Sequence, residues 1–233
     1  MGISRQNARM TDTQHVSTTA EFAFDEREAR YRLFQREFIT REECATLVAL
    51  IENYGKIGDG YHGDPHPHTP NETFGGYSFG NTPDNLVPGH MEALRIMIRT
   101  RNLLRSHFKV PFLWMDFGHL VFRHATGAPA AEKEEYSHPW HFDNQSEGVK
   151  YRTHTAILYL NEEFDGGLTL FREADFGPFR EVQPQPGTLL AFDATQNAHA
   201  VSKLEGGKRY VLNMWFSTNW RVLRRHRRIF KPL

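Results

Sequence analysis

His141 and Asp143 stand one residue apart in the stretch Ser137-His138-Pro139-Trp140-His141-Phe142-Asp143-Asn144. In an extended strand alternate side chains point to one face, so this imidazole and this carboxylate are expected to project together. A second imidazole, arriving from the distant His199, completes a set of two histidines and one carboxylate. Such a set grips Fe(II) on one side and leaves other coordination positions open for a cosubstrate and O2. His-x-Asp occurs by chance, so the residues C-terminal to His199 decide whether the set has a purpose.

Gly206-Gly207 reads as a tight turn, and Arg209 to Phe216 as a strand rich in β-formers. Period two puts Arg209, Val211, Asn213 and Trp215 on one face. A fixed cation, an amide and an indole then line one cavity. Arginine stays charged and binds carboxylates in a two-pronged fork. A dicarboxylic cosubstrate could therefore chelate iron at one end and meet Arg209 at the other. An arginine beside a core strand can also be an ordinary surface residue. The His-x-Asp pair and the later histidine tip the reading toward the cosubstrate.

The remainder of the chain must position these groups. Its 233 residues allow a sizeable core, and 39% hydrophobic and 13% aromatic content is globular. The formal net charge is zero, so no global field draws the chain to nucleic acid or a membrane surface, and neither partner is expected. Cys44 is the only cysteine, which excludes an internal disulfide and a cysteine-based zinc site. Without an apolar leader or a membrane-length apolar run, a cytoplasmic location is expected.

Residues 1–20 read as a mobile polar tail, and residues 21–233 as one domain with its metal and cosubstrate core at 112–217. Phe22, Phe24, Tyr31, Leu33, Phe34 and Phe38 supply an early strand or short helix. Thr40 and Glu43 form a capping box for a helix over 41–54, which buries Cys44, Leu47, Val48 and Ile51 and ends at Gly55. His62, His66 and His68 lie in a stretch dense in glycine and proline, read as loop histidines rather than ligands. A second helix spans 89–108, with Met91 and Met97 assigned to the core. Strands are expected over 112–124, 151–160, 168–171 and 188–192, with 161–167 as a turn. Many short strands broken by Gly and Pro predict a mainly β chain with flanking helices, built on a jelly roll. The acidic loop residues Glu132, Glu134 and Glu135 read as a solvated face. The basic run from Lys208 to Lys231 reads as ending in a terminal helix that packs on acidic parts of the same domain.

The sequence resembles the catalytic domain of the prolyl 3-hydroxylase (leprecan) family, within the Fe(II)/2-oxoglutarate dioxygenases. The resemblance runs through Glu42-Glu43-Cys44, Gly58-Asp59-Gly60-Tyr61, His68-Thr69-Pro70-Asn71-Glu72, His119-Leu120-Val121 and Ser137-His138-Pro139. It continues through Ala156-Ile157-Leu158-Tyr159-Leu160-Asn161, Phe164-Asp165-Gly166-Gly167, Val182-Gln183-Pro184-Gln185 and Trp215-Phe216. It implies a double-stranded β-helix with His141, Asp143 and His199 on iron. It implies Arg209, with Tyr159, on the far carboxylate of 2-oxoglutarate, with Thr155 and Asn213 as walls, Trp215 near the metal and His124 near the cosubstrate. Fe(II), 2-oxoglutarate and O2 are the implied cofactor and cosubstrates, with ascorbate as a reductant. The implied reaction hydroxylates a peptide or protein prolyl residue, at C3 by this branch. Hydroxylation at C4, a free amino acid or small metabolite as substrate, and a non-catalytic jelly-roll binding protein remain alternatives. Nothing in the residues sets the oligomeric state.

Overall fold

The computed structural model describes residues 23–58, 72–79, 86–127, 136–172 and 179–222. The expected tail, the histidines His62, His66 and His68, the acidic loop residues and the basic residues from Arg224 onward lie outside them. Among the described residues there are twelve strands, two α-helices and one short 3-10 turn at Glu28–Arg30. In chain order these are β1 (Arg32–Gln35), α1 (Arg41–Tyr54), β2 (Lys56–Ile57), β3 (Glu72–Ser78), α2 (His90–His107), β4 (Trp114–Ala125) and β5 (Tyr136–His141). They continue as β6 (His154–Tyr159), β7 (Phe164–Gly166), β8 (Thr169–Arg172), β9 (Phe179–Val182), β10 (Leu189–Asp193), β11 (His199–Ser202) and β12 (Leu204–Ser217).

The strands form two antiparallel sheets in a jelly roll. The larger runs β1-β10-β6-β12-β4-β3-β2, with β7 pairing β12 to one side, and the smaller runs β5-β11-β8-β9. Alternation along the larger sheet separates two apolar clusters. Leu120, Ala156, Leu158, Leu189, Ala191, Leu212 and Met214 face the helices and join Cys44, Leu47, Ile51, Ile96, Met97 and Leu104. The intervening residues Val121, Ile157, Leu190, Phe192 and Val211 face the smaller sheet, where they meet Phe171 and Val182. The helices thus close one face of the larger sheet and leave the other to the space between the sheets.

The capping box at the start of α1 is present. Thr40 Oγ1 accepts from the Glu43 amide at 3.2 Å, and a Glu43 carboxylate oxygen accepts from the Thr40 amide at 2.8 Å. Leu50 joins the expected buried face, while Val48 packs against its edge. On α2 the buried line is His90, Ala93, Ile96, Met97, Thr100 and Leu104. Met91 falls outside this line and is 38% exposed, so its core assignment is corrected while that of Met97 stands.

Three sequence expectations are also corrected. Gly206-Gly207 does not turn the chain: both lie within the long β12, paired with Asp165 and Phe164 of β7 after a register shift. The segment 161–167 is therefore part strand. The metal strand ends at His141, and Asp143 sits in the turn just beyond it.

Thr40→Ala removes one side of the capping box and should lower the unfolding free energy by roughly 1 kcal/mol. The check is the urea midpoint at unchanged slope; an unaltered midpoint would show that the cap contributes nothing to stability.

Candidate metal centre and active site

β11 lies beside β5 with His199 directly opposite His141, the rings 4.2 Å apart between centroids. His141 Nδ1 lies 2.8 Å from the Pro139 carbonyl, and His199 Nδ1 lies 3.2 Å from the Asn197 carbonyl. A carbonyl oxygen can only accept, so these contacts place the proton on Nδ1 and leave each Nε2 lone pair to the cavity. Both Nε2 atoms stand 3.6 Å from the Asp143 carboxylate, each beside a different oxygen. The three donor groups fall within 4.8 Å of one another, close enough to share one cation.

Asp143 reaches the expected place by a different route from strand alternation. Its carboxylate arrives from a turn and is steadied by Thr155 on β6, whose hydroxyl donates to Asp143 Oδ2 at 2.6 Å. Burial alone would push this carboxyl up, but His199 and His141 beside it, with Thr155, hold it well below the ordinary carboxylate range. Burial pushes the His199 imidazole down to about 4, with the neighbouring His141 acting the same way against the opposing pull of Asp143. A neutral imidazole and an ionised carboxylate are the forms that bind metal.

Behind His199 stands a buried brace. Arg32 of β1 donates through Nε to Asn197 Oδ1 at 2.8 Å, and Asn197 donates to the Asp193 carbonyl at 2.8 Å. The Arg32 guanidinium also lies over Phe171, 4.4 Å from the ring centre. The carbonyl that orients His199 is thereby held from the opposite end of the chain.

The triad opens into a cavity of about 600 Å³ that is also lined by Arg209, Val211, Asn213 and Trp215 of β12. The predicted period-two face is present in full. Arg209 is only 4% exposed, and among the described residues it forms no ion pair and its Nε has no hydrogen-bond partner. Burial pushes its guanidinium down to about 10, which leaves it charged at neutral pH. A buried cation without a counter-charge is costly unless a ligand supplies one. Gly167 makes room for it: at φ +63°, a Cβ there would sit 2.9 Å from Arg209 Cδ.

Other expected residues take different places. Tyr159 lies behind Arg209, 5.6 Å from ring centre to guanidinium carbon, and its hydroxyl donates to Thr169 Oγ1 at 2.7 Å. Trp215 stacks on Phe117 at 5.9 Å, carries Arg152 over its ring at 4.4 Å, and among the described residues has no partner for its buried Nε1. His124 is exposed and does not line the cavity, which corrects its placement near the cosubstrate. Its strand neighbour Arg123 points inward instead, with Glu72 at 3.1 Å. His138 also lines the cavity, because register shifts between β5 and β11 interrupt the two-residue alternation between His138 and His141. Sequence reasoning missed Arg123, Glu72 and His138. Strand alternation could have found Arg123, whose position opposite Arg209 comes from pairing two predicted strands; the irregularity at Pro139 had no comparable signal.

Residues 129–217 match the 2OG-Fe(II) oxygenase superfamily. The chain is 34% identical to prolyl 3-hydroxylase 1 of Rattus norvegicus over 213 residues, covering 81% of this chain and 29% of that protein. It therefore spans less than a third of the length of this curated relative. In fold it resembles a prolyl-4-hydroxylase of Pseudomonas putida, with TM-score 0.58 and 20% identity over 82% of this chain and 95% of that one. It also resembles a prolyl hydroxylase of Trichoplax adhaerens solved with a hypoxia inducible factor peptide fragment, with TM-score 0.59 and 15% identity over 87% and 88%.

The buried neutral His199 gives the metal-free protein a pH signature. Its folded pKa lies below its unfolded value, so the unfolded chain binds more protons between about pH 6.5 and about pH 4. Stability should fall as pH drops through that window, by at most about 1.4 kcal/mol per pH unit for one proton. Urea unfolding of metal-free protein checks this. His199→Gln should flatten the slope, and an unchanged slope would assign it to other groups.

Proposed function

We propose, on the premise that this chain belongs to the 2OG-Fe(II) oxygenase superfamily, that it hydroxylates prolyl residues in peptides or proteins, with C3 as the position. One observation carries the reading: a buried arginine that forms no ion pair among the described residues shares a cavity with two imidazoles that present Nε2 and with an ionised carboxylate. His141, Asp143 and His199 would hold Fe(II), a donor set that fits this ion and leaves positions open. Arg209 would receive the far carboxylate of 2-oxoglutarate, which neutralises the buried cation. Iron bound there, with 2-oxoglutarate and O2, supplies the oxidation: one oxygen atom enters the substrate C–H bond, the other enters succinate, and CO2 leaves.

The protein's own work is orientation and exclusion. Asn197 and Pro139 carbonyls fix the imidazole tautomers. Thr155 holds Asp143. Asn213 and Trp215 line the wall beside the bound ligands, and Trp215 offers its indole N–H. Tyr159 backs Arg209; a direct bond to a carboxylate requires its hydroxyl to leave Thr169. Choosing C3 rests on the 34% identical relative, since the likeness to a prolyl-4-hydroxylase at 20% identity concerns the fold. A peptide or protein prolyl substrate is likewise supported by that 34% identical relative, and ascorbate as reductant by the resemblance alone. The single buried cysteine suits a reducing, cytoplasmic setting.

The test supplies Fe(II), 2-oxoglutarate, O2 and a library of proline-containing peptides. Succinate should form in step with a one-oxygen mass gain on proline, and authentic standards should identify 3-hydroxyproline. Chelation of the metal, or Asp143→Ala in a folded protein, should abolish both products. Persistent coupled turnover in that variant would contradict the assigned ligand set, and 4-hydroxyproline would overturn the choice of position.

A further inference from the structure

The arginine opposite Arg209 suggests a second role at the same site. β4 and β12 pair with Arg123 and Arg209 directly across from one another, and both side chains line the cavity. Both are buried, at 6% and 4% exposure. Like charges facing each other across strands repel, and each has also lost its hydration. Glu72 of β3 supplies a nearby negative charge, but both its oxygens are engaged. One receives Arg123 Nη1 at 3.1 Å, and the other receives the Ser137 hydroxyl. Ser137 in turn accepts from the Leu204 amide at 2.9 Å, which ties this group to the start of β12. Among the described residues, two guanidiniums stand here against one carboxylate, an excess of one positive charge.

Arg123 is also held in place. Its guanidinium carbon lies 5.3 Å from the centre of the Phe74 ring, and Nη2 lies 3.5 Å from His138 Nδ1. A brace between the two sheets would account for the Arg123–Glu72–Ser137 chain. It would not account for placing that brace opposite a second buried arginine that forms no ion pair among the described residues. A carboxylate arriving between the two guanidiniums accounts for both.

We propose that Arg123 is a second anchor for the far carboxylate of the 2-oxo dicarboxylate, acting across the strand pair from Arg209. This rests on the cosubstrate reading above and deepens it. The pair selects ligands with a second carboxylate over monocarboxylic 2-oxo acids, with Glu72 orienting Arg123 rather than competing for the ligand.

Anaerobic titration calorimetry tests this with Mn(II) in place of iron and two ligands, 2-oxoglutarate and 2-oxobutyrate. The second shares the chelating end and lacks the far carboxylate. Arg123→Gln alone strands Glu72, so the deciding protein is Arg123→Gln/Glu72→Gln, which keeps the net charge of the pocket. Its 2-oxoglutarate affinity should fall roughly tenfold to a hundredfold, the worth of a hydrogen bond to a charged group, while 2-oxobutyrate binding is unchanged. A folded double variant that keeps its 2-oxoglutarate affinity, or loses both ligands equally, overturns the anchor. A wild type that binds neither ligand overturns the cosubstrate reading as well, which separates the two failures.

Discussion

The register of β11 on β5 is the constraint on which the site depends. It sets His199 directly opposite His141, and backbone carbonyls two residues before each ring turn both Nε2 atoms toward Asp143. Had the register slipped by one residue, one imidazole would leave the cavity, because side chains alternate between faces. Burial protects the arrangement by keeping His199 neutral and available as a donor. Pro139 is tolerated in β5 because that strand lies at the edge of the smaller sheet, where a missing amide disrupts least. Register shifts on the same pair bring His138 into the cavity beside the ligand set.

The larger sheet serves two purposes through a single alternation. One set of residues on β12, Leu212, Met214 and Phe216, packs toward the helices and anchors the strand. The alternate set, Arg209, Val211, Asn213 and Trp215, is released to line the cavity. Stability and function are thus divided by face rather than by region. The fully buried neighbours Leu158 and Leu212 fix the strand that carries Arg209, and that strand tolerates a buried guanidinium with no ion pair among the described residues because so much apolar surface secures it. Such a tolerated cost is expected where a ligand completes the electrostatics.

Much of the fold and site is legible in the sequence for physical reasons. The period-two pattern of β12, the capping box at Thr40 and the Gly-Pro punctuation are local signals, and local signals survive folding. The triad is readable because metal chemistry restricts residue type. The failures share the opposite cause. Gly206-Gly207 resembles a turn, yet pairing with β7 draws it into a strand, a tertiary effect that no window of sequence contains. Strand alternation places Asp143 although the strand stops at His141, and the cross-sheet bond from Thr155 does the positioning instead. The family resemblance favours His124 over Arg123, while the ladder turns His124 outward and Arg123 in.

The central claim is that one cavity holds Fe(II) at His141, Asp143 and His199 while Arg209 holds the other end of a 2-oxo dicarboxylate. The most direct test is visible absorption of the protein under anaerobic conditions as Fe(II) and then 2-oxoglutarate are added. A metal-to-ligand charge-transfer band should appear only with both present and be lost in His199→Ala. In Arg209→Ala it should require far higher 2-oxoglutarate concentrations. Absence of the band in wild-type protein that remains folded by circular dichroism would contradict the claim and leave a jelly-roll binding protein in its place.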